Sequence, residues 1–185
     1  ITEDDLFAFL KSRIKKIDAV VISGGEPTLH ANLLEFITKI KKLNFKIKLD
    51  TNGTNPKILE KLMKKNLINY IAMDIKSTPE KYQKITRYQD ENNLLPNIKK
   101  SIKLIMNSNI PYEFRTTLVP ELIEKEDIKK MGELIQGAEK WYLQNFKSDT
   151  DLIDKNLENK KKYSPEDMQA MQAIAQKYVK QCILR

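Results

Sequence analysis

Cysteine, histidine, glycine and arginine are all scarce in this chain, and each shortage excludes something. Cys182 is the only cysteine among 185 residues, so no internal disulfide and no self-contained cysteine-ligated zinc or iron–sulfur site can form. It reads as a small buried thiol on the last helix. His30 is the only histidine and has no cysteine beside it, which argues against a metal role. No apolar run reaches membrane-spanning length and no signal peptide is recognisable, so a soluble cytoplasmic protein without membrane attachment is expected. Arginine is confined to Arg13, Arg87, Arg115 and Arg185, although Lys and Arg together number 33 against 25 acidic residues, a net charge of +8. The lysines are spread over every expected helix and interleaved with Glu and Asp. That pattern suits a solvated basic surface better than a nucleic-acid face.

Of the five glycines, two stand side by side in Ala19-Val-Val-Ile-Ser-Gly-Gly-Glu-Pro-Thr-Leu-His30. A short apolar run meets Gly24, Gly25, Glu26 and Pro27 and then an amphipathic stretch, the pattern of a buried strand opening into a helix N-terminus. Without a Cβ, the two glycines let backbone groups approach a ligand closely. Glu26 suits a ligand ammonium better than a phosphate. The lysine of a P-loop and the spaced glycines of a dinucleotide fingerprint are both missing.

The rest of the chain repeats this beat. Thr2 to Asp5 fits a capping box opening a helix with Leu6, Phe9 or Leu10, and Ile14 inward. After the strand Ala19 to Ser23, a helix begins near His30 and buries Leu33, Phe36, Ile37, Ile40 and Leu43. Phe45 to Leu49 is a strand ending in Asp50-Thr51-Asn52-Gly53, and Asn55-Pro56 starts another helix. Tyr70 to Ile75 is the third strand, with Asp74 and Lys76 at its end. A polar excursion from Arg87 to Asn93 precedes a helix over Asn97 to Met106. Tyr112 to Val119 and Trp141 to Phe146 are strands four and five. Residues 147–163, including Lys160-Lys161-Lys162, read as a flexible polar segment, and 164–185 as a C-terminal helix. One domain spanning 1–185 is expected.

Five strands alternating with helices imply an α/β fold with a parallel sheet, an open doubly wound sheet or part of a β/α barrel, whose chemistry sits at the strand carboxyl ends. Glu26, Asp50, Thr51, Asn52, Asp74, Lys76 and Arg115 all fall at strand ends or on strands. Each also has a bland reading. Asp50 to Gly53 could be a plain turn, Asp74 and Lys76 a structural ion pair, and Arg115 a partner of Asp74 or Glu113 as readily as of a ligand.

Taken in order, Val-Ile-Ser-Gly-Gly-Glu-Pro-Thr, Leu-Asp-Thr-Asn-Gly, Ala-Met-Asp-Ile-Lys, Arg-Thr-Thr-Leu-Val-Pro and Tyr-Leu-Gln-Asn-Phe resemble the radical S-adenosylmethionine enzymes. The likeness runs from Ile1 to about Phe146 and is nearest to the glycyl-radical-enzyme activating proteins, in particular those of anaerobic ribonucleoside-triphosphate reductase. The resemblance implies an incomplete (β/α) barrel holding S-adenosylmethionine across its strand ends. Gly24, Gly25, Glu26, Pro27, Thr51, Asn52, Lys76, Arg115 and Gln144 would contact it. Glu26 and the glycine backbone would take the methionyl ammonium. In the pyruvate formate-lyase activase branch, positions matching Asp50, Thr51 and Asp74 line a monovalent-cation site beside the methionyl carboxylate. The family's reduced 4Fe–4S cluster cleaves the sulfonium, and the resulting 5′-deoxyadenosyl radical takes hydrogen from a glycine of a partner enzyme. A flavodoxin or ferredoxin would supply the electron. Phe146 stands where the formate-lyase activases carry a ligand-contacting histidine, and Gln144 follows the reductase-activase pattern. The cluster ligands of the family, a C-x3-C-x2-C loop after the first strand, are missing along with that strand, and the chain starts at Ile1. A piece of a longer activase is therefore expected, against the alternatives of a non-catalytic paralogue that binds S-adenosylmethionine or a partner, or a formate-lyase-type activase.

Overall fold

The computed structural model describes residues 1–86, 90–149, 151–152 and 154–185. Arg87, with which the expected polar excursion begins, lies outside them. Six parallel strands run in sequence order: β1 (Ala19–Ile22), β2 (Lys46–Thr51), β3 (Tyr70–Asp74), β4 (Tyr112–Leu118), β5 (Lys140–Asn145) and β6 (Gln181–Leu184). Every neighbour in the sheet is the next strand in the chain, and β6 does not return to β1. The helices between them are α1 (Glu3–Ser12), α2 (Leu33–Lys41), α3 (Pro56–Lys64), α4 (Tyr82–Thr86), α5 (Glu91–Met106), α6 (Asp127–Leu134) and α7 (Pro165–Ala175).

Strand alternation sorts the side chains. Ile47, Leu49, Ile71, Met73, Phe114, Trp141 and Leu143 are fully buried between the sheet and the helices. The intervening positions, Lys48, Asp50, Tyr70, Asp74, Glu113, Arg115 and Tyr142, are mostly polar and occupy the other face. Register aligns them, pairing Lys48 with Tyr70, Asp74 with Arg115, and Arg115 with Tyr142. One face of the sheet is thus a core and the other is a charged surface.

The local signals account for most helix starts. Thr2 and Asp5 close the capping box on α1, and Ser164 and Asp167 close one on α7. Asn55 caps α3 with Pro56 at its first position. Four expectations need correction. Glu26 caps a 3₁₀ turn, Pro27–Leu29, and α2 starts only at Leu33, because the His30 N–H closes back on the Pro27 carbonyl. Asp90 caps α5, which starts at Glu91 rather than Asn97, and the helix runs through Pro96 without the hydrogen bond that proline cannot donate. Of the expected α1 face, Leu10 is buried while Phe9 and Ile14 are exposed; Phe7 packs edge-on against Phe36 instead.

The fourth correction is the largest. Residues 164–185 are not one helix: α7 ends at Ala175, and Gln181–Leu184 adds a sixth strand beside β5. The Gln176 side chain makes the break by donating to the Val179 and Lys180 carbonyls and accepting from the Cys182 N–H. Within 147–163, Ser148 bonds the Lys160 carbonyl and Tyr163 bonds the Ile123 carbonyl.

Candidate active site

The loops after β1 and β2 are joined by one carboxylate. Glu26, 8% exposed, accepts through Oε1 from the Thr28 N–H (3.1 Å), the Thr28 hydroxyl (2.6 Å) and the Thr51 hydroxyl (2.8 Å), and through Oε2 from the Asn52 N–H (2.6 Å). A carboxylate offers about four lone-pair directions, so one Oε2 direction is all that is left for a ligand. Thr51 and Asn52 are similarly engaged. The Thr51 hydroxyl also accepts from the Gly53 N–H, and the Asn52 side-chain oxygen accepts from the N–H and hydroxyl of Thr54. These two residues follow the turn reading and add a link to Glu26.

Gly24 and Gly25 differ. Gly24 has φ +147°, a conformation L side chains rarely adopt, whereas Gly25 has an ordinary φ; a Cβ on either would meet no atom within 4 Å. Space is therefore open over both. A cavity of about 290 Å³ lies beside them, lined among others by Ser23, Pro27, His30 and Phe36. Pro27 is buried as the first residue of the 3₁₀ turn.

On the charged face, Arg115 stands between two carboxylates. Its Nε donates to Asp74 Oδ1 (2.9 Å) and its Nη1 to Asp50 Oδ2 (3.0 Å). Burial disfavours the guanidinium charge, but Asp74 and Asp50 more than offset this and hold its pKa above the ordinary value. Lys76 Nζ reaches Asp74 Oδ2 at 3.0 Å and remains largely solvated. Glu113, the other partner open to Arg115, is instead bonded by Tyr70 (3.0 Å) and Lys48 (3.4 Å), with Arg185 3.7 Å away. Gln144 sits on β5 opposite Thr117. Asp50 Oδ1 is buried with no hydrogen-bond partner, and the Lys48 ammonium lies 3.7 Å from it as an ion-pair partner.

The structure thus forms two groups. Gly24, Gly25, Glu26, Pro27, Thr51 and Asn52 make one continuous loop pair; Asp50, Asp74, Lys76 and Arg115 make an ion cluster. Asp50 and Thr51 connect them, being consecutive on β2 with side chains on opposite faces. Asp50, Thr51 and Asp74 do not converge as a set: Thr51 turns to Glu26, and the positive charge between the two aspartates is Arg115. Among the described residues no group of three or more His, Cys, Asp or Glu side chains could hold a metal ion.

Residues 1–135 match the sequence profile of the radical SAM superfamily. The chain belongs to that superfamily. It is 33% identical over 170 residues to a Methanocaldococcus jannaschii protein named for glycyl-radical enzyme activation, spanning 91% of this chain and 70% of that protein. The six-stranded, unclosed sheet matches the partial barrel of solved radical SAM structures. A domain of the pyruvate-formate lyase-activating enzyme of Bacteroides vulgatus superposes with a TM-score of 0.66 at 20% identity, over 91% of this chain and 99% of that domain. Streptococcus suis SuiB bound to S-adenosylmethionine gives 0.67 at 15% identity, over 98% of this chain and 42% of SuiB. At these identities the solved structures speak for the fold.

The family uses S-adenosylmethionine and a 4Fe–4S cluster, and the residues present fit the two differently. An open glycine pair and an ion cluster with a partly solvated Lys76 suit a zwitterionic amino-acid head. The cluster finds no ligand set in this chain, because Cys182, the single cysteine, is buried in β6.

Proposed function

We propose that this chain is the S-adenosylmethionine-binding body of an activating enzyme that installs a glycyl radical on a partner protein, with anaerobic ribonucleoside-triphosphate reductase as that partner. The observation that carries the ligand assignment is the uncovered backbone of Gly24 and Gly25 after β1, with the Asp50–Arg115–Asp74–Lys76 ion cluster on the strands that follow. A methionyl head carries one ammonium and one carboxylate, and both need pre-positioned, partly dehydrated receptors. Lys76 has donors to spare for the carboxylate. The Gly24–Gly25 backbone offers acceptors for the ammonium, and Glu26 holds the loop that presents the glycines. Gln144 and Arg115, on neighbouring strands, would flank the nucleoside.

The cluster that supplies the reducing chemistry would be held by cysteines that these 185 residues do not contain. The kinship with the archaeal activating-enzyme homologue supports the activase class. Gln144, and Phe146 in place of a histidine, favour the reductase over the formate-lyase as partner.

Anaerobic reconstitution of the native gene product tests the reading. Cluster absorbance, cleavage of S-adenosylmethionine to 5′-deoxyadenosine and a glycyl-radical signal on purified anaerobic ribonucleotide reductase are expected. A reconstituted product that binds no cluster, or that cleaves no S-adenosylmethionine, would refute it. Lys76→Ala should lower S-adenosylmethionine affinity about tenfold in calorimetry, the scale of one charge-assisted contact, while leaving the unfolding midpoint in place.

A further inference from the structure

The backbone of residues 74–76 is gripped from the core side of the sheet by three polar side chains that never reach the charged face. Tyr82, on α4, is 1% exposed. Its phenol oxygen accepts from the Lys76 N–H at 3.2 Å and lies 3.5 Å from the Asp74 carbonyl, to which its hydroxyl is directed. Thr116 donates its hydroxyl to the Ile75 carbonyl at 2.9 Å and accepts from the Trp141 indole N–H at 3.0 Å. Thr116 is 1% exposed and Trp141 and Ile75 are 0% exposed. The Ile75 N–H is taken by the Arg115 carbonyl at 2.8 Å. Every polar backbone group from the Asp74 carbonyl to the Lys76 N–H is therefore engaged, just where β3 leaves the sheet.

We infer that Tyr82, Thr116 and Trp141 are positioning residues: a buried clamp that fixes the Asp74–Lys76 segment, and through it the Lys76 ammonium offered to the ligand and the Asp74 carboxylate that pairs with it and with Arg115. A phenol has one donor and one acceptor, and Tyr82 applies both to groups two residues apart. It thereby sets the height and direction from which the Lys76 side chain departs. Thr116 follows Arg115 on β4 and projects to the opposite face, so one strand delivers a ligand-facing cation and the hydroxyl that anchors the neighbouring strand end. The burial of Tyr82 disfavours its phenolate and pushes its pKa up, which keeps the hydroxyl proton available for donation. The inference rests on the proposed S-adenosylmethionine site for its functional meaning, although the clamp itself does not.

Tyr82→Phe in the native gene product separates the two. Phenylalanine keeps the packing and deletes both bonds. Amide hydrogen exchange in the 74–77 segment should quicken about tenfold, the scale of one buried hydrogen bond, with exchange in β2 unchanged. S-adenosylmethionine affinity by calorimetry should fall by about fivefold to tenfold on the same scale. In a Lys76→Ala background the same change should cost less than about twofold, because contacting pairs are non-additive. Unchanged exchange at 74–77 overturns the clamp. Fully additive affinity losses overturn the positioning role. Quickened exchange in a protein whose wild type binds no S-adenosylmethionine overturns the proposed ligand and upholds the clamp.

Discussion

Replacing Glu26 by alanine strands four donors at once. Two are hydroxyls, of Thr28 and Thr51, which can rotate toward other acceptors; two are the backbone N–H groups of Thr28 and Asn52, which cannot. Bonds to a charged acceptor are worth about 1.5–3 kcal/mol each, and a stranded buried donor costs roughly 1–3 kcal/mol. With the hydroxyls partly re-satisfied, a loss of roughly 3–5 kcal/mol is expected, a large share of the ~5–15 kcal/mol that holds a typical domain together. Glu26→Gln should fall about midway on the same scale. Its oxygen can keep the three Oε1 bonds while its amide meets the Asn52 N–H donor to donor. Urea unfolding of both variants measures this. A Glu26→Ala protein as stable as wild type, to within about 0.5 kcal/mol, yet unable to bind S-adenosylmethionine, would show that the carboxylate serves the ligand and not the loops.

The adjacent glycines give opposite outcomes. Gly24→Ala should cost about 1 kcal/mol of stability because its φ is unfavourable for a side chain. Gly25→Ala should leave stability alone, since its Cβ meets open space, and lower S-adenosylmethionine affinity about tenfold by holding the ligand off the backbone; unchanged affinity would move the ligand elsewhere. Burial pushes the Cys182 thiol from 9.0 up to about 12. The unfolded chain therefore loses that proton first, and stability should fall as pH rises above 9. Cys182→Ala should flatten the fall relative to wild type in urea unfolding between pH 8 and pH 10.5, the buried tyrosines adding the same sign to both; identical slopes would contradict the burial.

Five of the six strands were legible because apolar runs met polar punctuation at a steady interval, but that pattern left their order open between a doubly wound sheet and a partial barrel. The sixth strand was not: Gln181-Cys-Ile-Leu184 is too short for its period to separate strand from helix end, and the Gln176 bonds that break the helix depend on how one side chain folds back onto backbone groups a few residues on. Arg115 was recognisable as a cation needing a partner, and Asp74 as one candidate. Asp50 became the second only through the diagonal neighbour relation that register creates across β3. Asn52 answered to its local turn chemistry, as its residue type suggests. Tyr82, in the polar run Glu80 to Lys84, and Thr116, between Arg115 and Thr117 on a strand, carried no sequence signal for this role. Their significance lies in which carbonyl and which amide they meet.

A sheet whose strands stand in chain order hands each successive βα step its own loop, and the groups proposed for the site arrive one step at a time: Gly24 and Gly25, then Asp50, then Asp74 with Lys76, then Arg115, then Gln144. Such an arrangement lets evolution retune one contact by editing a single loop, without repacking the helical layer beneath the others. The first two steps escape that independence. Welded together by the Glu26 carboxylate, they must vary as a pair, and Arg115 ties Asp50 and Asp74 across the next two steps in the same way.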